Sequence, residues 1–394
     1  MSSREKAGTP PQAEVTKDNR SEHRWRRYVM AAAIGATAAV LALKAQAQPR
    51  DLGETPHSAS ILPNGVVGIN GKPQLLISTS ELPPDASLVQ KARQMGVNAL
   101  KSRWPGTRQA DLAKISGDMW LIPEYGPNNV RDPNPKNIGY VGNDEADKSG
   151  VMPAFGEKDL PFFLNISDRF MHDSDPRLQK TVNDLIKMAD VIETDPYAQV
   201  SNCNHDESEV YDAMIELRKR ANYLSPAKPK ALGIWVEGSQ VYTEPCDEPH
   251  PNNLKAQVMA AFAAGASVFS YFVAVEKDDG GYIPYQVDPQ MYQAAQEVNQ
   301  QLKANADVLG GVRLPSNSEH DNPLKRGVFR LSATKMVEIV VNLSDTPQSM
   351  AKYLPKIPGV GATKAKDRLS GAVVDLNGQI GDHQVMILDL QKAA

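Results

Sequence analysis

The chain is predicted to be an α/β protein: a (β/α)8 TIM barrel followed by an all-β sandwich domain. Three observations predict this. Eight short apolar runs recur along residues 74–273, amphipathic or polar stretches separate them, and beyond residue 310 the pattern changes to strands and turns with no helix among them. The resulting division is an export leader at residues 1–50, a barrel at 51–310 and a β-sandwich at 311–394.

Taken in order, residues 1–50 read as a targeting segment and not as fold. A polar stretch from Met1 to Glu22 precedes the basic cluster Arg24-Trp25-Arg26-Arg27. The small-residue apolar run Tyr28 to Leu43 follows, and Ala45-Gln46-Ala47 offers an A-x-A cleavage site. The run is shorter than the ~20 residues a spanning helix prefers, which favours a cleaved signal and a periplasmic or secreted location. The alternative is an inner-membrane anchor through residues 28–43, the one route by which a membrane would be a partner. Arg26-Arg27 fits twin-arginine export poorly because Trp25 and Val29 flank it.

Gly65–Gly71 reads as a hairpin turning at Asn70-Gly71. The eight runs are residues 74–78, 97–102, 119–123, 138–142, 162–166, 191–194, 232–236 and 268–273. Helical spacing is clear at Ala86–Met95, with Leu88, Ala92 and Met95 on one face. It is equally clear at Leu178–Met188, with Val182, Leu185 and Ile186 on one face. Glu209–Asn222, Leu254–Ala264 and a long segment from Pro289 follow the same logic, while the crossovers after the third and fourth strands look short. No Gly-rich phosphate loop follows any strand, so a doubly wound nucleotide-binding sheet has little support. Gly327–Leu331, Met336–Asn342, Ala372–Leu376 and Gln384–Leu390 supply the C-terminal strands.

Composition narrows the function. Across 394 residues the net charge is -4 and no Lys/Arg-rich run follows the leader, so nucleic acid is not an expected partner. Two cysteines exclude a disulfide framework or a zinc ribbon. Cys203 and Cys246 fall in the loops after strands six and seven, neighbours in a barrel, and form a candidate disulfide. Cys203, His205 and Asp206 match no zinc spacing, and no Gly-x-Ser-x-Gly follows a strand. Neither a metal, a cofactor nor a serine nucleophile is expected.

Working residues of a barrel project from the C-terminal ends of its strands. Those positions hold Glu81, Arg103, Trp104, Glu124, Tyr125, Asn143, Asp144, Glu145, Asp168, Asp195, Tyr197, Glu237, Gln240 and Tyr271. Carboxylates mixed with aromatics suit a carbohydrate, because rings stack on sugar faces and carboxylates bond hydroxyls and move protons. Glu145 after strand four and Glu237 after strand seven make the pair that retaining glycoside hydrolysis needs, with carboxyls ~5–5.5 Å apart. Asp144 and Asp147 crowd Glu145 in a way that would favour the protonated form of a general acid. Asp247-Glu248-Pro249 has no strand before it and reads as loop.

The order of these segments resembles retaining (β/α)8 glycoside hydrolases with acid/base on strand four and nucleophile on strand seven. It is similar in particular to a bacterial group whose fourth strand ends in Asp-Glu-Pro. The matching pieces are Gly71-Lys-Pro, Gly139-Tyr-Val-Gly-Asn-Asp-Glu145, Ala189-Asp-Val-Ile-Glu-Thr-Asp-Pro-Tyr197, Ile234-Trp-Val-Glu237, the run Ala261 to Tyr271 and Glu297-Val-Asn-Gln. The resemblance implies Glu145 as acid/base and Glu237 as nucleophile. Ala146 replaces the proline of the signature, and Asp144 stands where the wider group carries an Asn that holds the sugar 2-hydroxyl. The expected activity is hydrolysis of a poly- or oligosaccharide with retention. The alternatives are a barrel that binds polysaccharide without cleaving it, in an envelope or exopolysaccharide system, and an inverting hydrolase pairing Glu145 with Asp195 or Glu124.

Overall fold

The computed structural model describes residues 58–79, 85–102, 109–125, 134–142, 144–149, 159–197, 208–238, 250–276, 282–284, 289–315, 322–353, 357, 360 and 363–391. The leader lies outside these residues. Among them, no helix is long and apolar enough to cross a membrane.

Eight parallel strands form the barrel: β1 (Leu76–Thr79), β2 (Ala99–Ser102), β3 (Trp120–Pro123), β4 (Tyr140–Val141), β5 (Phe162–Ile166), β6 (Val191–Thr194), β7 (Ala231–Glu237) and β8 (Val268–Phe272). They pair in sequence order and β8 returns to β1. Parallel bridges from Leu121 to Asn137 and from Glu124 to Val141 join β3 to β4 and close the ring. Each strand falls on one of the eight apolar runs.

The helices follow local signals. Helix α1 (Ala86–Gln94) starts where the Asp85 carboxylate accepts the Ser87 and Leu88 amides at 2.7 and 3.4 Å. Its buried face is Val89 and Ala92 with Met95 beyond its end, and Leu88 sits at the margin of that face. After β2 comes α2 (Gln109–Ile115). Helix α3 (Pro176–Met188) begins with proline behind an Asp175 cap, the position where proline's missing amide is harmless. Helices α4 (Ser208–Leu224), α5 (Pro251–Ala264) and α6 (Pro289–Ala304) complete the outer ring, and α5 ends at Gly265 with φ of 94°. Only one turn, Ala146–Ser149, is found between β4 and β5 among the described residues.

Strand alternation sorts side chains into two sets. Leu76, Ala99, Ile122, Ile138, Phe163, Val191, Ala231 and Val268 point inward and form one apolar layer with Val67 and Ile69. The last two belong to the predicted hairpin, whose Asn70 and Gly71 have φ of 51° and 72°, as a two-residue primed turn requires. The outward set, including Ile77, Leu100, Leu164, Ile192 and Ile234, packs under the helices.

The C-terminal part is an antiparallel sheet of β9 (Val312–Leu314), β10 (Leu324–Arg330), β11 (Lys335–Asn342), β12 (Lys364–Asp367), β13 (Val373–Asp375) and β14 (Val385–Gln391), in the order β9-β10-β11-β14-β12-β13. One face packs on the barrel helices, where Phe329 stacks on Phe262 of α5 at 6.4 Å. The other face carries its own core of Leu324, Val328, Val340, Met386 and Leu388, with Ile380 from a small ribbon. β12, Lys-Ala-Lys-Asp, escapes an apolar-run count because only alternate residues are buried.

Candidate active site

Glu237 ends β7 on its inward column, two residues beyond Trp235, and is buried. Its register partner on β8 is Phe272. Trp235 and Phe272 form a buried aromatic pair joined by Tyr197 from the loop after β6, whose ring lies 6.2 Å from that of Phe272. A carboxylate thus stands beside an aromatic wall at the C-terminal end of the barrel.

Glu145 lies in the loop after β4 with φ of 41°, a left-handed conformation that costs a non-glycine residue energy and is held only where surroundings impose it. Here the imposing contact is Asp147, which is buried and accepts the Ser167 amide at 3.0 Å and the Ser167 hydroxyl at 2.5 Å. Asp147 therefore fastens the fourth loop to the end of β5. Glu145 itself pairs with the Lys148 ammonium, one turn on. Ala146 is the first residue of the helical turn.

Asn165, inward on β5, connects the two sides. Its amide nitrogen donates to Asp144 at 2.8 Å and to Asp195 at 3.0 Å. Asp195 is buried at the end of β6, and its second oxygen has no hydrogen-bond partner. Burial pushes its carboxyl well above the usual range, and the Glu145 charge adds to the rise, against the Asn165 bond. Asp168, after β5, is raised by burial as well; His172 and Lys148 oppose this while Glu145 and Asp147 reinforce it. These groups mark an acidic mouth over β4 to β7.

The raised Asp195 carboxyl has a stability consequence. A folded-state value above the unfolded one means that the contribution is present at low pH and is lost as pH climbs through the folded value. Asp195→Asn is therefore expected to raise Tm at pH 7. Thermal scans should show that gain shrinking towards pH 4; equal gain at both pH values would overturn the assignment.

Other predicted positions fall elsewhere. Tyr271 is the clear correction: it points outward, fully buried under the helices, and its hydroxyl donates to Asn299 of α6 at 2.8 Å. The inward-facing ring of β8 is Phe272, one residue later. Tyr125 packs edge-on against Tyr140 and Phe162, with centroids 5.8 and 6.5 Å away, and so belongs to the outer core. Glu124 is exposed at the end of β3. Glu81, Arg103, Trp104, Asn143, Gln240, Cys203 and Cys246 lie outside the described residues, as do His205 and Asp206. Among the described residues no cluster of His, Cys, Asp and Glu could hold a metal ion.

The chain superposes on isomaltulose synthase SmuA from Protaminobacter rubrum (10% identity, TM-score 0.43, 80% of this chain and 98% of that one). It also superposes on trehalose-6-phosphate hydrolase TreA of Bacillus licheniformis (10%, 0.43, 81% and 99%) and on Eubacterium rectale Amy13B (8%, 0.41, 82% and 96%). No protein-family model and no curated protein sequence matches the chain. The residues of the site itself, and not these distant likenesses, carry the proposal below.

Proposed function

We propose that the chain is an exported glycoside hydrolase that cleaves a poly- or oligosaccharide with retention of anomeric configuration. Glu237 attacks the anomeric carbon as the bond to the leaving oxygen breaks, and Glu145 delivers the proton that oxygen needs. Glu145 then takes a proton from water, whose oxygen displaces Glu237 from the sugar. The observation that carries this reading is Glu237, a buried inward carboxylate beside Trp235 and Phe272, on a barrel whose fourth loop presents Glu145.

Asp195 favours a second reading. Its burial and the Glu145 charge favour its protonated form, the form a proton donor requires, whereas Glu145 is met by Lys148. In that case Asp195 would protonate the leaving oxygen and Glu145 would activate water for a single inversion. Proton NMR of the first anomer released separates the two: the retained anomer supports the Glu237 mechanism and the inverted anomer sinks it. Binding of glycans with no cleavage over long incubation would favour a binding barrel.

A further inference from the structure

One level below the mouth, four strands fill the barrel with polar groups where branched apolar side chains usually pack. Lys101 Nζ on β2 donates to Glu193 Oε1 at 2.5 Å, Glu193 Oε2 at 2.5 Å and Ser270 Oγ at 2.6 Å. Ser270 Oγ lies 2.6 Å from Glu193 Oε1 and 2.7 Å from Ser78 Oγ. The donors and acceptors balance when Ser270 accepts from Lys101 and Ser78 and donates to Glu193. Both charged side chains have 0% exposure. β7 makes room for the pair with Gly233, where a Cβ would stand 2.8 Å from Glu193 Cγ.

A buried ion pair adds little net stability over apolar residues of the same volume, because desolvation offsets the attraction. What it does supply here is a fixed cation under an indole. Lys101 Nζ lies 4.8 Å from the centroid of Trp235. Trp235 in turn separates the pair from the mouth, packing with Phe272 and Tyr197 and preceding Glu237 by two on the same inward column. We propose that Lys101, Glu193 and Ser270 form a positioning unit that fixes Trp235 as the floor of the glycan-binding mouth and, through it, the direction of Glu237. The kinetic part of this proposal rests on the glycosidase reading, whereas its spectroscopic part does not.

The test uses the full chain carrying Lys101→Met alone, Lys101→Met with Glu193→Leu, and Ser270→Ala. Trp235 emission is read as the difference from a Trp235→Phe background. The single Lys101→Met variant leaves a buried charge unpaired and should lose about 5 °C in Tm. The double variant removes both charges and should return close to the wild-type Tm. A merely structural pair would then restore everything. A positioning unit leaves kcat down by about 100-fold, since misplacement of about 1 Å can cost that much, with KM changed less and Trp235 emission shifted. Ser270→Ala, which keeps the ion pair, should show the same changes to a smaller degree, and it decides the matter if the double variant does not fold. Wild-type kcat and emission in these variants would overturn the proposal. If wild-type protein cleaves no glycan, the hydrolase reading falls separately. Glycan-dependent quenching of Trp235, lost in the double variant, would still support the positioning unit, and binding that leaves Trp235 emission unchanged would overturn it.

Discussion

Glu237→Ala is expected to lower kcat/KM by about 10⁴-fold or more, because a covalent step loses its nucleophile outright. Azide should then restore turnover. The anion is small enough to enter the space the carboxylate leaves, and it attacks from the face Glu237 occupied, so the product is a glycosyl azide of inverted configuration. Glu145→Ala should behave differently. Glu237 still forms the glycosyl-enzyme on substrates with good leaving groups, azide replaces water in the second step, and the product is a retained azide. Mass spectrometry and NMR of the products distinguish the two. A Glu237→Ala protein that folds and retains wild-type activity would remove the nucleophile assignment, and an identical azide product from both variants would remove the division of roles. Burial makes the first variant informative: Glu237 lies inside the mouth, so its loss is felt by the ligand space and not by a solvated surface.

Much of this architecture is legible in the chain because each barrel strand is a short apolar run bounded by polar residues, and each long crossover carries a helical stripe or a cap. Asn70-Gly71 and Asp85 act locally, so their roles follow from their chemistry. What escapes is strand parity. β8 reads Val-Phe-Ser-Tyr-Phe and is buried on both faces, so nothing in its composition says whether Tyr271 or Phe272 faces the barrel interior; a shift of one residue exchanges the faces. The polar layer escapes for another reason. Lys101, Asn165 and Glu193 each interrupt an apolar run, which is a usable signal, but their meeting depends on strands 92 residues apart in the case of Lys101 and Glu193. Counting back by two from Glu237 and Asp195 finds Trp235 and Glu193.

The contact between sheet and barrel should be the most sensitive single site for stability. Gly327 sits in the middle of β10, where a Cβ would fall 1.9 Å from the Ala263 carbonyl oxygen and 2.7 Å from its carbon. Both obstacles are backbone at the end of α5, so no side chain can swing aside, and accommodating even alanine requires the sheet to withdraw. That withdrawal would also disturb the Phe262–Phe329 stack, the 2.5 Å bond from the Tyr211 hydroxyl to the Arg326 carbonyl and the 2.9 Å bond from Arg313 to the Ala263 carbonyl. Overpacking in a close-packed contact costs about 1–3 kcal/mol and more when backbone must move. Gly327→Ala is therefore expected to cost about 3 kcal/mol or more, which for a chain of this size is a Tm lower by about 4 °C or more. Gly310→Ala is the control, since a Cβ there meets nothing within 4 Å. Its Tm should stay close to wild type. Equal melting of the two variants would mean that β10 does not lie on α5 as described. Because α5 follows the loop after β7, Gly327→Ala should also lose activity at temperatures well below its Tm if the sheet helps to hold Glu237 in place; a variant that melts early yet keeps wild-type kcat when cool would confine the sheet's role to stability.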